Sequence, residues 1–326
     1  MGRRMDGFGG VQCHGACLVS LEPIWLDPEA LDRLAPPSVV LAALSDALAR
    51  PHGVDASVRW HYSGAGGTAL VMVVDDPESD LALQKTLFMR PDNIRRALPG
   101  LSGHVALSEL STGRLLAMAD GAWFTGMRTA AIAAYATQRL ALNRARHLLV
   151  GAGYEAFFHA RALADLGGMT HLTIWNRTPG KAQILADRLK DTDWMTGVTI
   201  RVAARLSDAV GHVDVVTTLT GSPEPLIVSG LGEDVLINAM GSYQPHAREI
   251  GGDVIAQARL VADSETAVRE AGEFVLDGME PTTGRIQFLW EPLLAPQHGV
   301  TLMKSVGAAF YDLALARRLW DLTRTR

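Results

Sequence analysis

Residues 148–177 read LLVGAGYEAFFHARALADLGGMTHLTIWNR. A short apolar run, a glycine turn, an amphipathic stretch at helical spacing, a Gly-Gly stop and a second apolar run follow one another, which is the order of a strand–helix–strand unit. Gly151, Gly153 and Ala156 spell G-x-G-x-x-A at the strand-to-helix turn. The first glycine permits the tight turn, the second lets the backbone approach a pyrophosphate, and the small third residue lets the helix sit close on the sheet. Tyr154 and Glu155 open that helix, whose free N–H groups and partial positive charge suit phosphate. The stretch therefore predicts a dinucleotide site.

The end of the second strand selects the dinucleotide. An NAD site usually places an Asp or Glu there for the ribose 2′-hydroxyl. Here the residues are Asn176, Arg177 and Thr178, with Lys181 one turn into the next helix. A guanidinium pairs with a 2′-phosphate through charged hydrogen bonds that a carboxylate would oppose. NADPH is the expected cofactor, with NADH the alternative.

The remaining chain is consistent with an enzyme of two domains. It has 326 residues, 48% hydrophobic and 20% charged, with a net charge of −5. That balance carries no electrostatic footprint for nucleic acid. No apolar run reaches membrane-spanning length, and no apolar stretch follows the arginines of MGRRMDGFGG, so no secretory signal is expected. Cys13 and Cys17, with His14 between them, are too few and too closely set for a metal site. Reduced thiols, a cytoplasmic location and no metal are expected.

Along the chain, residues 1–22 read as a loose leader. Asp27-Pro28-Glu29 marks a helix start, and VVLAALSDALA after Pro36-Pro37 reads as a second helix. Strands are expected at 57–62, 68–74, 81–89 and 104–110, followed by a turn leading into LLAMAD. A long Ala-rich helix runs from Gly121 to about residue 142. Strands and helices then alternate at 147–150, 156–166, 171–175, 181–189, 198–202, 213–219 and 235–240, which predicts a parallel doubly wound sheet. A last strand is expected at 260–262, then one acidic helix, ETAVREAGEF, and a C-terminal helix over KSVGAAFYDLALARRLW. Strand carboxyl ends face the ligand in such sheets, so Thr218, Leu219 and Thr220 after one strand, and Met240 and Gly241 after another, are candidate cofactor contacts. The fold class expected is α/β: a Rossmann-type domain over 123–300, and an α+β substrate and dimerisation domain from 1–122 with 301–326.

The segments FTGMRTAA, VGAGYEA, INAMGSYQPHAREI and KSVGAAFYDLA resemble the ornithine cyclodeaminase/μ-crystallin family over nearly the whole chain from Leu26. Within it, FTGMRTAA, VDVVTTLTGSPEP, ADSETAVREAGEF and MKSVGAAFYDLALAR look most similar to Δ1-pyrroline-2-carboxylate reductases. The resemblance implies a homodimer acting on a small imino or amino acid. It implies that Arg59, Lys85 and Arg128 hold the substrate's carboxylate and nitrogen, that Thr125 lies at the substrate, and that Lys304 and Ser305 lie near the nicotinamide. From the bare residues, Arg59 and Lys85 read first as exposed strand charges, Arg128 equally as a helix salt bridge, and His61 first as a structural histidine. The segment LQKTLFMRPDN departs from the family's commoner pattern around the lysine. Cyclodeaminases also carry an Asp after the strand glycine, where this chain has Gly241-Ser242-Tyr243. Losing that acid argues against amine cyclisation with loss of ammonia, which needs an acid–base group at the amine.

The expectation is reduction of a cyclic imino acid, Δ1-pyrroline-2-carboxylate or Δ1-piperideine-2-carboxylate, to proline or pipecolate. Lys85 is its expected catalytic residue, orienting the substrate and helping to deliver or retain the nitrogen's proton. Arg128 is expected near a helix start, where the dipole favours an anion. An amino-acid dehydrogenase of the same family and a crystallin-like NADPH binder without turnover are the alternatives; ornithine cyclodeaminase ranks last.

Overall fold

The computed structural model describes residues 22–49, 58–64, 66–281 and 284–325. The expected leader with Cys13, His14 and Cys17, and the first residue of the strand expected at 57, lie outside them.

Strand β1 (Ile24–Leu26) leads into α1 (Pro28–Leu34), capped by Asp27, whose carboxylate accepts from the Ala30 N–H at 2.8 Å. After α2 (Pro37–Leu48) come β2 (Val58–Gly64), β3 (Gly67–Asp76), β4 (Leu81–Met89), β5 (Leu101–Glu109) and β6 (Leu115–Asp120). They form a six-stranded sheet in the order β1-β6-β5-β4-β3-β2, antiparallel except where β1 runs parallel to β6. β1 was not expected, because three residues beside a helix cap carry no period of their own.

Helix α3 (Gly121–Leu140) starts at Asp120, which accepts from the Trp123 N–H at 2.8 Å, a cap worth about 1 kcal/mol. It is buried along almost its whole length. Its small Ala-rich surface lets it pack on α2, α4 (Tyr154–Asp165) and β5, and reach the second sheet. A helix apolar all round belongs in such a position.

The second sheet is built from β7 (Arg146–Val150), β8 (His171–Trp175), β9 (Thr199–Val202), β10 (Val215–Thr218), β11 (Leu236–Ala239), β12 (Arg259–Ala262), β13 (Ile286–Phe288) and β14 (Thr301–Lys304), with α5 (Pro179–Lys190), α6 (Gly252–Gln257), α7 (Glu265–Glu270) and α8 (Gly272–Val275) between them. Its order is β13-β12-β14-β11-β10-β7-β8-β9 and every pairing is parallel, the doubly wound arrangement expected. The chain reverses direction across the sheet between β7 and β10. The crevice at their carboxyl ends is the ligand position of such folds.

Three expectations need correction. β14 lies inside this sheet, so the boundary at residue 301 cuts off one of its strands. KSVGAAFYDLALARRLW is not one helix: Lys304 ends β14, and α9 (Ala309–Arg324) starts only after Gly307, whose φ of +76° breaks the chain direction. ETAVREAGEF divides into α7 and α8 at Ala271, which is extended. There Gly272 lies directly against the Ala247 carbonyl, too close for any side chain. Among the described residues, no helix is long and apolar enough to cross a membrane.

Candidate active site

The glycine turn sits between the two central strands. Gly151 has φ +114°, and a Cβ on it would stand 2.7 Å from the Leu219 carbonyl, so β10 and the turn can approach only through glycine. Gly153 is the N-cap of α4 and has no side-chain cap; nothing lies within 4 Å of where its Cβ would be. Free helix N–H groups above open space form an anion cradle. From there a cavity of about 410 Å³ runs past Gly151, Asn176, Arg177, Thr178, Lys181, Leu219 and Thr220. Among the described residues, no carboxylate lines it. Asn176 accepts from the Ala152 N–H at 3.0 Å and donates to the Thr178 carbonyl at 2.9 Å, which ties the turn to the end of β8. A nicotinamide dinucleotide fits this donor set.

A second cavity, of about 280 Å³, continues from the first through Gly153, Leu219, Thr220 and Gly221, which line both. Tyr154, Glu155, Met240, Gly241 and Ser305, expected at the cofactor, line this inner cavity together with Arg59, Lys85, Thr125 and Arg128. Ala156 is buried beneath the turn and lines neither. The Thr125 hydroxyl donates to the Gly121 carbonyl at 2.7 Å, so its role at the cavity is one of shape and oxygen lone pairs.

Thr218 and Lys304 face elsewhere. The Glu249 carboxylate, in the loop after β11, accepts from the Thr218 hydroxyl, the Thr220 N–H and hydroxyl and the Gly241 N–H, all at 2.8 Å, and from the Ser242 N–H at 3.3 Å. One buried carboxylate thus fixes the ends of β10 and β11 that wall the crevice. Lys304 is fully buried; its ammonium pairs with Glu273 at 3.2 Å and donates to the Ser242 carbonyl at 2.5 Å. Neither of these two residues, expected at the cofactor, lines either cavity. Glu249 and Glu273, which hold them, carry no sequence signal beyond being acids.

At the inner end, Lys85 of β4 and Arg128 of α3 converge on one acid. The Asp312 Oδ1 of α9 accepts from Lys85 Nζ at 3.1 Å and from Arg128 Nε at 2.9 Å. Lys85 and Asp312 are fully buried. Burial lowers the Lys85 ammonium to about 8, and Asp312 holds it from falling further. Arg128 stands in the third turn of α3, beyond the reach of the helix dipole expected to assist it. Its Nε is used by Asp312, and its two Nη groups donate no hydrogen bond among the described residues. They remain as a fork for a carboxylate. Gly307 abuts that guanidinium so closely that a Cβ there would collide with Nη1.

Arg59 of β2 closes the cavity from the other side. Its Nη1 donates to the carbonyls of Val306 and Gly307 at 3.0 and 2.8 Å, and its Nε lies 3.2 Å from both His61 Nε2 and Glu270 Oε2. Burial lowers its pKa and the Glu270 carboxylate opposes that. His61, read as structural, stacks on Tyr243 with centroids 5.5 Å apart and planes 9° apart. Tyr243, standing where cyclodeaminases carry an acid, lines the cavity and places its hydroxyl 3.5 Å from the Met89 sulfur. The loop from Ser305 to Gly307 is itself pinned: Asp263 accepts from the Ser305 hydroxyl at 2.6 Å and the Gly307 N–H at 3.2 Å. Leu70, Met72, Leu87, Met89 and Leu101 supply an apolar wall. The site can hold one small monoanion with an apolar body beside the inner end of a dinucleotide.

Comparison with known proteins agrees with this geometry. A Δ1-pyrroline-2-carboxylate reductase of Bacillus cereus is 28% identical over 272 residues, covering 80% of this chain and 83% of that protein. The ketimine reductase mu-crystallin of Mus musculus is 30% identical over 257 residues, covering 77% and 79%. Among solved structures, the Thermococcus litoralis Δ1-pyrroline-2-carboxylate reductase in complex with NADH and L-proline superposes with a TM-score of 0.84 at 23% identity, covering 93% of this chain and 98% of that one. The model of the ornithine cyclodeaminase/mu-crystallin family matches residues 41–325, and the chain belongs to that family.

Proposed function

We propose that this protein reduces a cyclic imino acid, Δ1-pyrroline-2-carboxylate or Δ1-piperideine-2-carboxylate, to the corresponding secondary amino acid with NADPH. The observation that carries this reading is the continuity of the two cavities through Gly153, Leu219, Thr220 and Gly221. It joins a carboxylate-free, arginine-bearing crevice to a buried cluster of cations. A bound nicotinamide supplies the hydride. The chain's part is placement and charge. Asn176, Arg177, Thr178 and Lys181 take the 2′-phosphate end, and the open N-terminus of α4 takes the pyrophosphate. Arg128 and Arg59 hold the substrate carboxylate. Lys85, kept cationic by Asp312, orients the imine. The apolar wall receives the ring and excludes water.

A homodimer is part of this proposal, and the outer face of the six-stranded sheet supports it. Arg59 and His61 of β2 face the cavity, so Val58, Trp60 and Tyr62 face away; these three are each more than half exposed. Trp25 and Phe88 also expose apolar surface. A second copy covering this sheet face accounts for exposed apolar area of that kind.

The test is oxidation of NADPH, and of NADH beside it, with each imine in the presence and absence of ammonia. Ammonia-independent turnover with NADPH preferred is expected. Turnover of a 2-oxo acid only with ammonia would instead make it an amino-acid dehydrogenase. Tight NADPH binding without turnover would make it a binding protein.

A further inference from the structure

We infer that Glu155 holds the proton that is transferred to the substrate nitrogen. The inference rests on the imine-reductase reading and assigns a residue that the resemblance places only at the cofactor.

Glu155 stands in the first turn of α4, on the wall shared by the glycine turn and the cation cluster, and it lines the inner cavity with Lys85 and Arg128. Among the described residues its carboxyl makes no hydrogen bond or ion pair, while every other acid at this end is engaged. Asp312 takes Lys85 and Arg128, Glu270 faces Arg59, and Glu249 takes the loop N–H groups. Lys85 is a poorer donor, because loss of its proton would break a buried ion pair with Asp312.

Arg59, Lys85 and Arg128 pair directly with Glu270 and Asp312, and the buried Asp263 and Glu249 lie close by. A bound substrate carboxylate adds a further negative charge beside Glu155 and favours its protonated form. The groups acting on it from neighbouring elements are Arg128 of α3 and Lys85 of β4, which favour ionisation, and Glu249, which opposes it. On its own helix, His159 is buried and held neutral, with a pKa near 4, and Tyr154 is pushed up to about 12. Burial outweighs the cations and raises Glu155 to about 7, matched to proton transfer near neutral pH.

The step balances. Hydride adds to the imine carbon, and the C=N π pair moves to nitrogen and forms the N–H bond as the Glu155 O–H bond breaks. The imine is reduced, the nicotinamide oxidised, and Glu155 is left as a carboxylate at a helix N-terminus that favours it. Water reprotonates it after product leaves.

The experiment is Glu155→Gln, an isosteric change that cannot ionise, with Glu155→Asp as the conservative partner. NADPH binding reports whether each variant is folded. For Glu155→Gln, kcat/KM at pH 7 should fall by about 10²-fold. Its basic limb should move from near pH 7 to near pH 8, where Lys85 loses its proton. Glu155→Asp should restore part of the rate and the lower limb. Infrared pH titration of the wild type should show a protonated carboxyl titrating near 7 that Glu155→Gln lacks. Unchanged kcat/KM and limb in Glu155→Gln, or no such carboxyl, would overturn the assignment. A wild type inactive on every imine would overturn the reductase reading instead, and the infrared titration would still report on Glu155.

Discussion

Replacing Asp312 with Asn tests the cation cluster most directly. The Oδ1 of Asp312 is the single acceptor for Lys85 Nζ at 3.1 Å and Arg128 Nε at 2.9 Å, in a fully buried site. Its Oδ2 has no hydrogen-bond partner among the described residues, so an amide fits without displacing a donor. What is lost is charge. Breaking a buried pair costs about 3–5 kcal/mol, and the lower figure corresponds to about two units of pKa. Lys85, already lowered to about 8 by burial and held there by Asp312, would fall to about 6. Its protonated fraction at pH 7 would drop from about nine-tenths to about one-tenth. That alone costs about tenfold in kcat/KM, and release of the Arg128 fork should bring the loss to about 10²-fold or more. Neutralisation of Lys85 limits the damage to the fold, because a buried amine is cheaper than a buried unpaired ammonium. The assay is kcat/KM for the imine against pH, with NADPH binding as the folding control. The basic limb should move below pH 7, in the direction of a lowered lysine. A variant that binds NADPH and keeps its limb, with kcat/KM within threefold of wild type, would refute the claim that Asp312 sets the charge of Lys85.

Arg177→Ala should raise KM for NADPH by about 10- to 100-fold, the worth of a charged hydrogen bond, and leave KM for NADH unchanged; equal effects on both cofactors would remove Arg177 from the 2′-phosphate. Gly307→Ala combines a strained φ of +76° with a collision against the Arg128 guanidinium. It should raise KM for the imine about tenfold or more at unchanged NADPH affinity, and a wild-type KM would refute the packing argument. Trp60→Lys, on the outward face of β2, should shift a dimer to monomer in sedimentation analysis without loss of fold; a dimer that persists would move the interface elsewhere.

The sequence alone determined whatever is carried by neighbouring residues. The glycine turn from Gly151 to Ala156, the apolar runs of β7 and β8, the Asp27 cap and the Asn176–Lys181 donor set are all local, because backbone conformation and phosphate recognition there depend on residues a turn apart. The similarity in FTGMRTAA and KSVGAAFYDLA extended that reach to Arg128. It stopped short of Asp312 because the acid's partners lie 184 and 227 residues away and its role exists only once α9 has packed on β4. Thr218 and Lys304 show the same limit: strand period and family pattern put them at the crevice, while their hydroxyl and ammonium turn back to Glu249 and Glu273. β14 was hidden because TLMK has neither alternation nor a longer apolar run like the VLINAM around β11. Tertiary structure therefore decided which acids neutralise which cations, and left Glu155 without a partner among the described residues in the cavity that needs a proton. Long-range electrostatics depends on the folded positions of groups that the chain itself keeps far apart.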